Sequence, residues 1–183
     1  MKSLRLALPL GLVLLSSMSF AQSQPQPLSD AQKSFDEMKT LAGVWQGKAT
    51  INPPLKDADN PLVHVSLRVT SRGNAIVHEM KEPNTPDDPT HDDPITMFYL
   101  DNDRLLLTHY CDAGNRPRMV GQLSPDGKKL EFQFLDVAGS TQYGHMDHVM
   151  FSIVDSDHHI EDWTYLEPGD KAMHAHMELT RVK

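Results

Sequence analysis

The chain has a single cysteine, Cys111, among 183 residues. One thiol cannot make an internal disulfide, so stability has to come from packing, and in an oxidising compartment that thiol is either buried or open to oxidation. Basic residues are also in deficit, with 17 Lys and Arg against 25 Asp and Glu, which argues against nucleic acid as a partner. Long apolar runs are missing beyond Leu6 to Leu15, and that stretch is far shorter than the ~20 residues a membrane span requires. There is no Gly-rich phosphate loop, no serine-hydrolase elbow and no Cys-x-x-Cys pair, so the familiar enzyme signatures are absent.

The amino terminus carries an export pattern. Lys2 and Arg5 form a positive start, Leu6 to Leu15 an apolar stretch, and Ser19-Phe20-Ala21 a small-x-small cleavage site. The expectation is a signal peptide over 1–21, a Gln- and Pro-rich spacer over 22–28, and one domain over 29–183. No cysteine lies near the cut to take a lipid anchor, so the product is expected to be periplasmic or secreted, with no membrane association after cleavage. Loss of Lys2 and Arg5 leaves 15 basic against 25 acidic side chains, a balance of −10 with the histidines neutral. Ten histidines are many for this length and bring metal, haem and pH-dependent behaviour into view.

Ser29 and Gln32 have capping-box spacing, and Phe35, Met38 and Leu41 follow at helical period, which predicts one short helix over Asp30 to Leu41. Beyond Gly43 the period becomes that of strands. Ten are expected: Val44 to Ile51, Val63 to Thr70, Ala75 to Glu82, Ile95 to Leu100, Arg104 to Tyr110, Arg118 to Leu123, Lys129 to Leu135, His148 to Val154, His159 to Leu166 and Ala172 to Val182. Turn signals such as Asp101-Asn102-Asp103, Pro125-Asp126-Gly127 and Pro168-Gly169-Asp170 separate them. Consecutive hairpins without intervening helices imply an all-β fold, an antiparallel up-and-down β-barrel of about ten strands with one short N-terminal helix, whose closure leaves a cavity. Two connections are long: Ile51 to Pro61, and Glu82 to Pro94 with four aspartates around His91. They read as a lid or portal, or as acidic loops without ligand contacts.

The helix followed by Leu41-x-Gly43-x-Trp45-x-Gly47 resembles the start of a calycin barrel, the group of lipocalins, fatty-acid-binding proteins and nitrobindins. The resemblance implies that Trp45 closes one end and packs on a basic residue of the last strand, a place Arg181 fills, with a cation over the indole worth ~0.5 to 1 kcal/mol or more. Ten strands make the chain similar to nitrobindins in layout, and that similarity implies a haem-ligating histidine in the last strand, where His174 falls within His174-Ala175-His176. Thr108-His109-Tyr110-Cys111 looks more like a group of exported bacterial lipocalin-like proteins.

The densest chemistry lies in residues 108–118. His109 and Cys111 are two apart on a strand, hence on one face and ~6 to 7 Å apart. With a third ligand from His145, His174 or His176 they would form a metal site. Alternatively, His109 activates Cys111 as a nucleophile, or both are plain packing. Asn115, Arg116 and Arg118 flank Pro117 and suit an anionic ligand at a barrel mouth or pairing with surface aspartates. His174 and His176 share a face; His145 and His148 fall on opposite faces unless a bulge intervenes; His158-His159 reads as a solvent-exposed turn. Glu161, Trp163 and Tyr165 share a face that either lines a cavity or meets solvent. Met80, Met97, Met119, Met146, Met150, Met173 and Met177 offer an adaptable lining or ordinary core.

The leading expectation is therefore an exported barrel holding a small, partly apolar ligand, with His109, Cys111, Asn115, Arg118, Trp163 and His174 as ligand-binding residues. The other readings are haem bound through His174, a metal site at His109, Cys111 and His145 or a thiol-dependent enzyme, and a filled structural barrel. Which strand face points inward decides among them, and period-two alternation alone does not say.

Overall fold

A computed structural model describes residues 27–54, 61–83 and 90–183. The expected signal peptide and most of the spacer lie outside the described residues, as do the middles of the two long connections. Helix α1 (Asp30–Thr40) is followed by ten strands: β1 (Gly43–Asn52), β2 (Leu62–Thr70), β3 (Ala75–Lys81), β4 (Ile95–Asp101), β5 (Arg104–Tyr110), β6 (Arg116–Leu123), β7 (Lys129–Ala138), β8 (His145–Ile153), β9 (His158–Glu167) and β10 (Lys171–Arg181). Each strand pairs antiparallel with its sequence neighbours, and β1 pairs with β10 to close the barrel. No described helix is long and apolar enough to cross a membrane.

The alternation now has a direction. Thr96 and Phe98 point inward and Met97 outward; Leu105, Leu107 and His109 point inward with Met119, Leu130, Phe132, Val149, Phe151 and Trp163. Three phenylalanines from β4, β7 and β8 meet edge to face, with Phe98 centred 5.2 Å from Phe132 and 5.7 Å from Phe151, the geometry that ring quadrupoles prefer. Gly121 makes room for this cluster, because a β-carbon there would overlap the Phe132 ring. The lower half of the barrel is thereby filled.

Helix α1 closes that filled end, lying against β4, β5 and β6. Its buried face supplies Phe35 and Met38, with Leu41 and Trp45 behind them. Burial of each such side chain stabilises the fold by roughly 1.5 to 3 kcal/mol. Ser29 Oγ accepts from the Gln32 amide at 3.2 Å, as a helix cap should. The reciprocal half of the expected capping box does not form, because the Gln32 side chain donates to Asp36 Oδ1 one turn on. Ser34 Oγ accepts the Leu123 amide at 3.2 Å, which ties the helix to the end of β6.

Trp45 and Arg181 complete the closure. The guanidinium lies over the indole at 4.0 Å from the ring centroid, while Trp45 Nε1 donates to the Leu41 carbonyl at 2.9 Å. Arg181 also donates to the carbonyls of Ala42, Thr40 and Ser156, satisfying acceptors that the helix end would leave bare. Gly43 permits the stack: it sits at φ +151°, and a β-carbon would collide with Arg181 Nη1.

Candidate functional site

Among the described residues the opposite end of the barrel is open, and beneath it lies a cavity of about 450 Å³. Its mouth is formed where β1, β3, β5 and β9 end and β2, β4, β8 and β10 begin. Met80, Met146, Met173, Ile51, Val63 and Pro94 give apolar walls, and the described flanks of both long connections contribute Pro61, Glu82 and Asp92. Cys111, Asp112 and Tyr165 stand at the same level, and Met177, His78, Thr96, His109 and Trp163 lie deeper. Of the seven methionines read as adaptable lining or core, four line the cavity. Met119 belongs to the filled half, and Met97 and Met150 fall at outward positions beside Thr96 and Val149.

Register places the deeper polar groups side by side. His78 on β3 opposes Thr96 on β4, and Thr96 opposes His109 on β5, so the three share one row of the inner wall. Ile76 and Met80, flanking His78 at alternate positions, mark that face as buried. His109 Nδ1 and Thr96 Oγ1 are 2.8 Å apart, while His109 Nε2 has no partner. Burial, and next the neighbouring His78, push the His109 pKa down to about 4, so its ring is neutral near pH 7.

A buried carboxylate organises the rest. Glu161 is wholly buried, which by itself would raise its pKa. The two imidazoles around it prevail and hold it well below the usual carboxylate range. Its Oε2 accepts from Trp163 Nε1 at 2.9 Å and lies 3.0 Å from His78 Nε2, and its Oε1 lies 2.9 Å from His159 Nε2. The His159 ring meets Trp45 edge-on at 4.2 Å. A column of contacts thus runs from the closing tryptophan through His159 and Glu161 to His78 and Trp163 at the cavity floor.

Of the residues singled out by sequence, His109, Cys111 and Trp163 come together in the cavity lining. His109 and Cys111 do share the inner face, but neither imidazole nitrogen bonds the thiol: Nδ1 is taken by Thr96 and Nε2 is unbonded. Burial, with Asp92 and Asp112 nearby, pushes the Cys111 thiol up, the reverse of what an activated nucleophile needs.

The remaining candidates lie elsewhere. Asn115 is buried, but its amide donates to the carbonyls of Ser140 and Gly144 at 2.9 and 2.7 Å, pinning the turn after β5 to the connection between β7 and β8. Arg118 is on the outer wall in a two-pronged pair with Asp136. Alternation with the inward Pro117 and Met119 puts it there, and a bulge at Leu135 of β7 sets Asp136 opposite it, so it does not reach the mouth.

His174 and His176 also face outward, because Met173, Ala175 and Met177 take the inner positions of β10. They bond Thr164 and Asp162 respectively. A haem inside the barrel therefore has no axial ligand in His174. His145 packs on Phe134 at 4.9 Å between ring centroids, opposite in face to the cavity-lining Met146, so it does not join His109 and Cys111 around a metal. Among the described residues no group of three or more His, Cys, Asp or Glu is arranged to hold a metal ion. A second bulge, between Met146 and His148, brings His145 and His148 onto the same outer face. His159, expected in solvent, is 1 % exposed, since β9 begins at His158 and alternation turns His159 inward with Glu161 and Trp163.

His78, Thr96 and Glu161 are the site residues that sequence reasoning missed or left undecided. The available signal was their place in alternation with large apolar residues on one face.

No family model and no curated protein matches the chain in sequence. Among solved structures it is similar to Rv2717c from M. tuberculosis, at 13 % identity over 82 % of this chain and 98 % of that one, with a TM-score of 0.57. A second match is a protein of unknown function from the DUF3598 family of Nostoc punctiforme, at 8 % identity, 81 % and 99 % coverage and a TM-score of 0.24. The first likeness is one of fold, a barrel compatible with ligand binding.

Proposed function

We propose that this protein is an exported carrier or sensor of a small, partly apolar molecule held in the open half of the barrel. The observation that supports it is the cavity itself, about 450 Å³, within the 300 to 1,000 Å³ common for small-ligand sites. Methionines at its mouth adapt to varied shapes, and a few polar groups stand at its floor, the usual division between affinity and orientation. Calycin-like binding of this kind needs no catalytic group, and Cys111 is poorly suited to be one. Export rests on the amino-terminal pattern and is tested by the amino terminus of the protein recovered from its host.

Uptake of the neutral fluorophore N-phenyl-1-naphthylamine tests the binding reading. The wild type is expected to enhance its emission saturably, and Ala175→Trp, which fills the cavity from β10, is expected to abolish the signal while keeping the thermal midpoint. A folded wild-type protein that takes up neither the fluorophore nor any molecule extractable from its host would overturn it.

A further inference from the structure

Two imidazole nitrogens at the cavity floor lack partners. His109 Nε2 and His78 Nδ1 are both buried and unbonded. Both rings line the cavity, and both lie against Trp163, with centroids 5.5 and 5.4 Å from it. Native interiors rarely leave such atoms unpaired without a functional reason.

The opposite nitrogens decide what each ring offers. His78 Nε2 faces both oxygens of the Glu161 carboxylate, at 3.0 and 3.3 Å. A carboxylate only accepts, so this nitrogen carries a proton and Nδ1 is left facing the cavity. His109 Nδ1 faces the Thr96 hydroxyl, which can give or take the hydrogen bond. When Thr96 donates, His109 Nε2 is an N–H donor to the cavity. With one proton on each ring and Thr96 donating, the floor pairs an acceptor at His78 Nδ1 with a donor at His109 Nε2.

Charge narrows the choice further. Glu161, a buried anion, stands behind His78 and Trp163. The described mouth adds Glu82, Asp92 and Asp112, while Lys81 is drawn to Asp93 at 3.6 Å. An anionic head group would meet negative potential at the entrance.

We propose, resting on the binding function above, that the ligand carries an uncharged head group that both gives and takes a hydrogen bond, such as a hydroxyl, seated against His78 and His109. Its apolar body then lies among Met80, Met146 and Met173. The acidic mouth disfavours fatty-acid anions.

Competition against N-phenyl-1-naphthylamine at pH 7.5 tests this with three probes of one chain length: decan-1-ol, its methyl ether and decanoate. Decan-1-ol is expected to displace the fluorophore at a concentration at least tenfold below decanoate and several-fold below the ether, which cannot donate. His109→Phe is expected to erase the advantage of alcohol over ether while fluorophore binding stays within twofold; His109→Gln, which keeps a hydrogen-bonding group, restores part of it and guards against misfolding of the first variant. Decanoate binding as tightly as decan-1-ol, or an alcohol preference untouched by His109→Phe, would overturn the head-group assignment and leave the cavity reading standing. Failure of the fluorophore to bind at all removes both.

Discussion

The two ends of the barrel are built on opposite plans. At the helix end, Trp45 and Arg181 are each bonded to main-chain carbonyls, and Phe35, Met38 and Leu41 leave almost no accessible surface. At the open end the wall is lined by flexible thioethers, and three of the four unpartnered buried side-chain atoms among the described residues, on His78, His109 and Asn115, lie in that half. One end has spent its interactions within the fold, and the other keeps some in reserve. Stability should therefore respond mainly to the first and binding mainly to the second, with Glu161 between them.

The sharpest test of that division is Trp45→Ala. Loss of a large buried indole costs about 3 to 5 kcal/mol, read as a fall in the urea midpoint, and the protein that remains folded should still take up N-phenyl-1-naphthylamine. A variant of unchanged stability would break the comparison at its firmest point. Glu161→Gln comes next, at about 3 kcal/mol, because the buried side chains of His78, His159 and Trp163 lose their ionised acceptor. Unlike Trp45→Ala it should also weaken fluorophore binding, since the carboxylate fixes His78 and Trp163.

Acidification reports on the open half through His109. With the His109 pKa at about 4 in the fold against an ordinary value near 6.5, the unfolded chain binds the extra proton between those limits. Stability is then full above about pH 6.5 and falls as the pH drops towards 4, by on the order of 3 kcal/mol. His109→Gln should flatten the denaturation midpoint across that window. The limb below pH 4.5 should persist, because Glu161, whose carboxyl is held low, favours the fold only while ionised. The smallest effect belongs to Arg118→Ala: this group sits on the outer wall, so neither the midpoint nor fluorophore uptake should move outside error.

Architecture was legible because it rests on periodicity. Phe35, Met38 and Leu41 announced the helix, and paired Asp, Asn and Gly residues announced the hairpins; expected and observed strands differ mainly at their ends. Trp45 and Arg181 likewise met as their resemblance to a calycin closure implied. The site was harder, because facing inward is a property of the closed barrel and not of any one strand. His174 and Arg118 have suitable chemistry on the wrong side of the wall. His159 looked like part of a turn until β9 proved to start one residue earlier. His78 is an isolated histidine in Ala75–Lys81, and only closure of the barrel brings it across the interior to Glu161, 83 positions away along the chain.

The seam between β1 and β10 has a consequence in time. These strands pair over eight consecutive positions, from Trp45 with Arg181 to Asn52 with His174, and both contribute to the cavity wall. A chain made from its amino terminus must hold β1 unpartnered on that side until β10 has been synthesised, and contacts of such sequence separation form slowly. Under the proposed export, this order means that the container cannot be completed, or loaded, before β10 emerges.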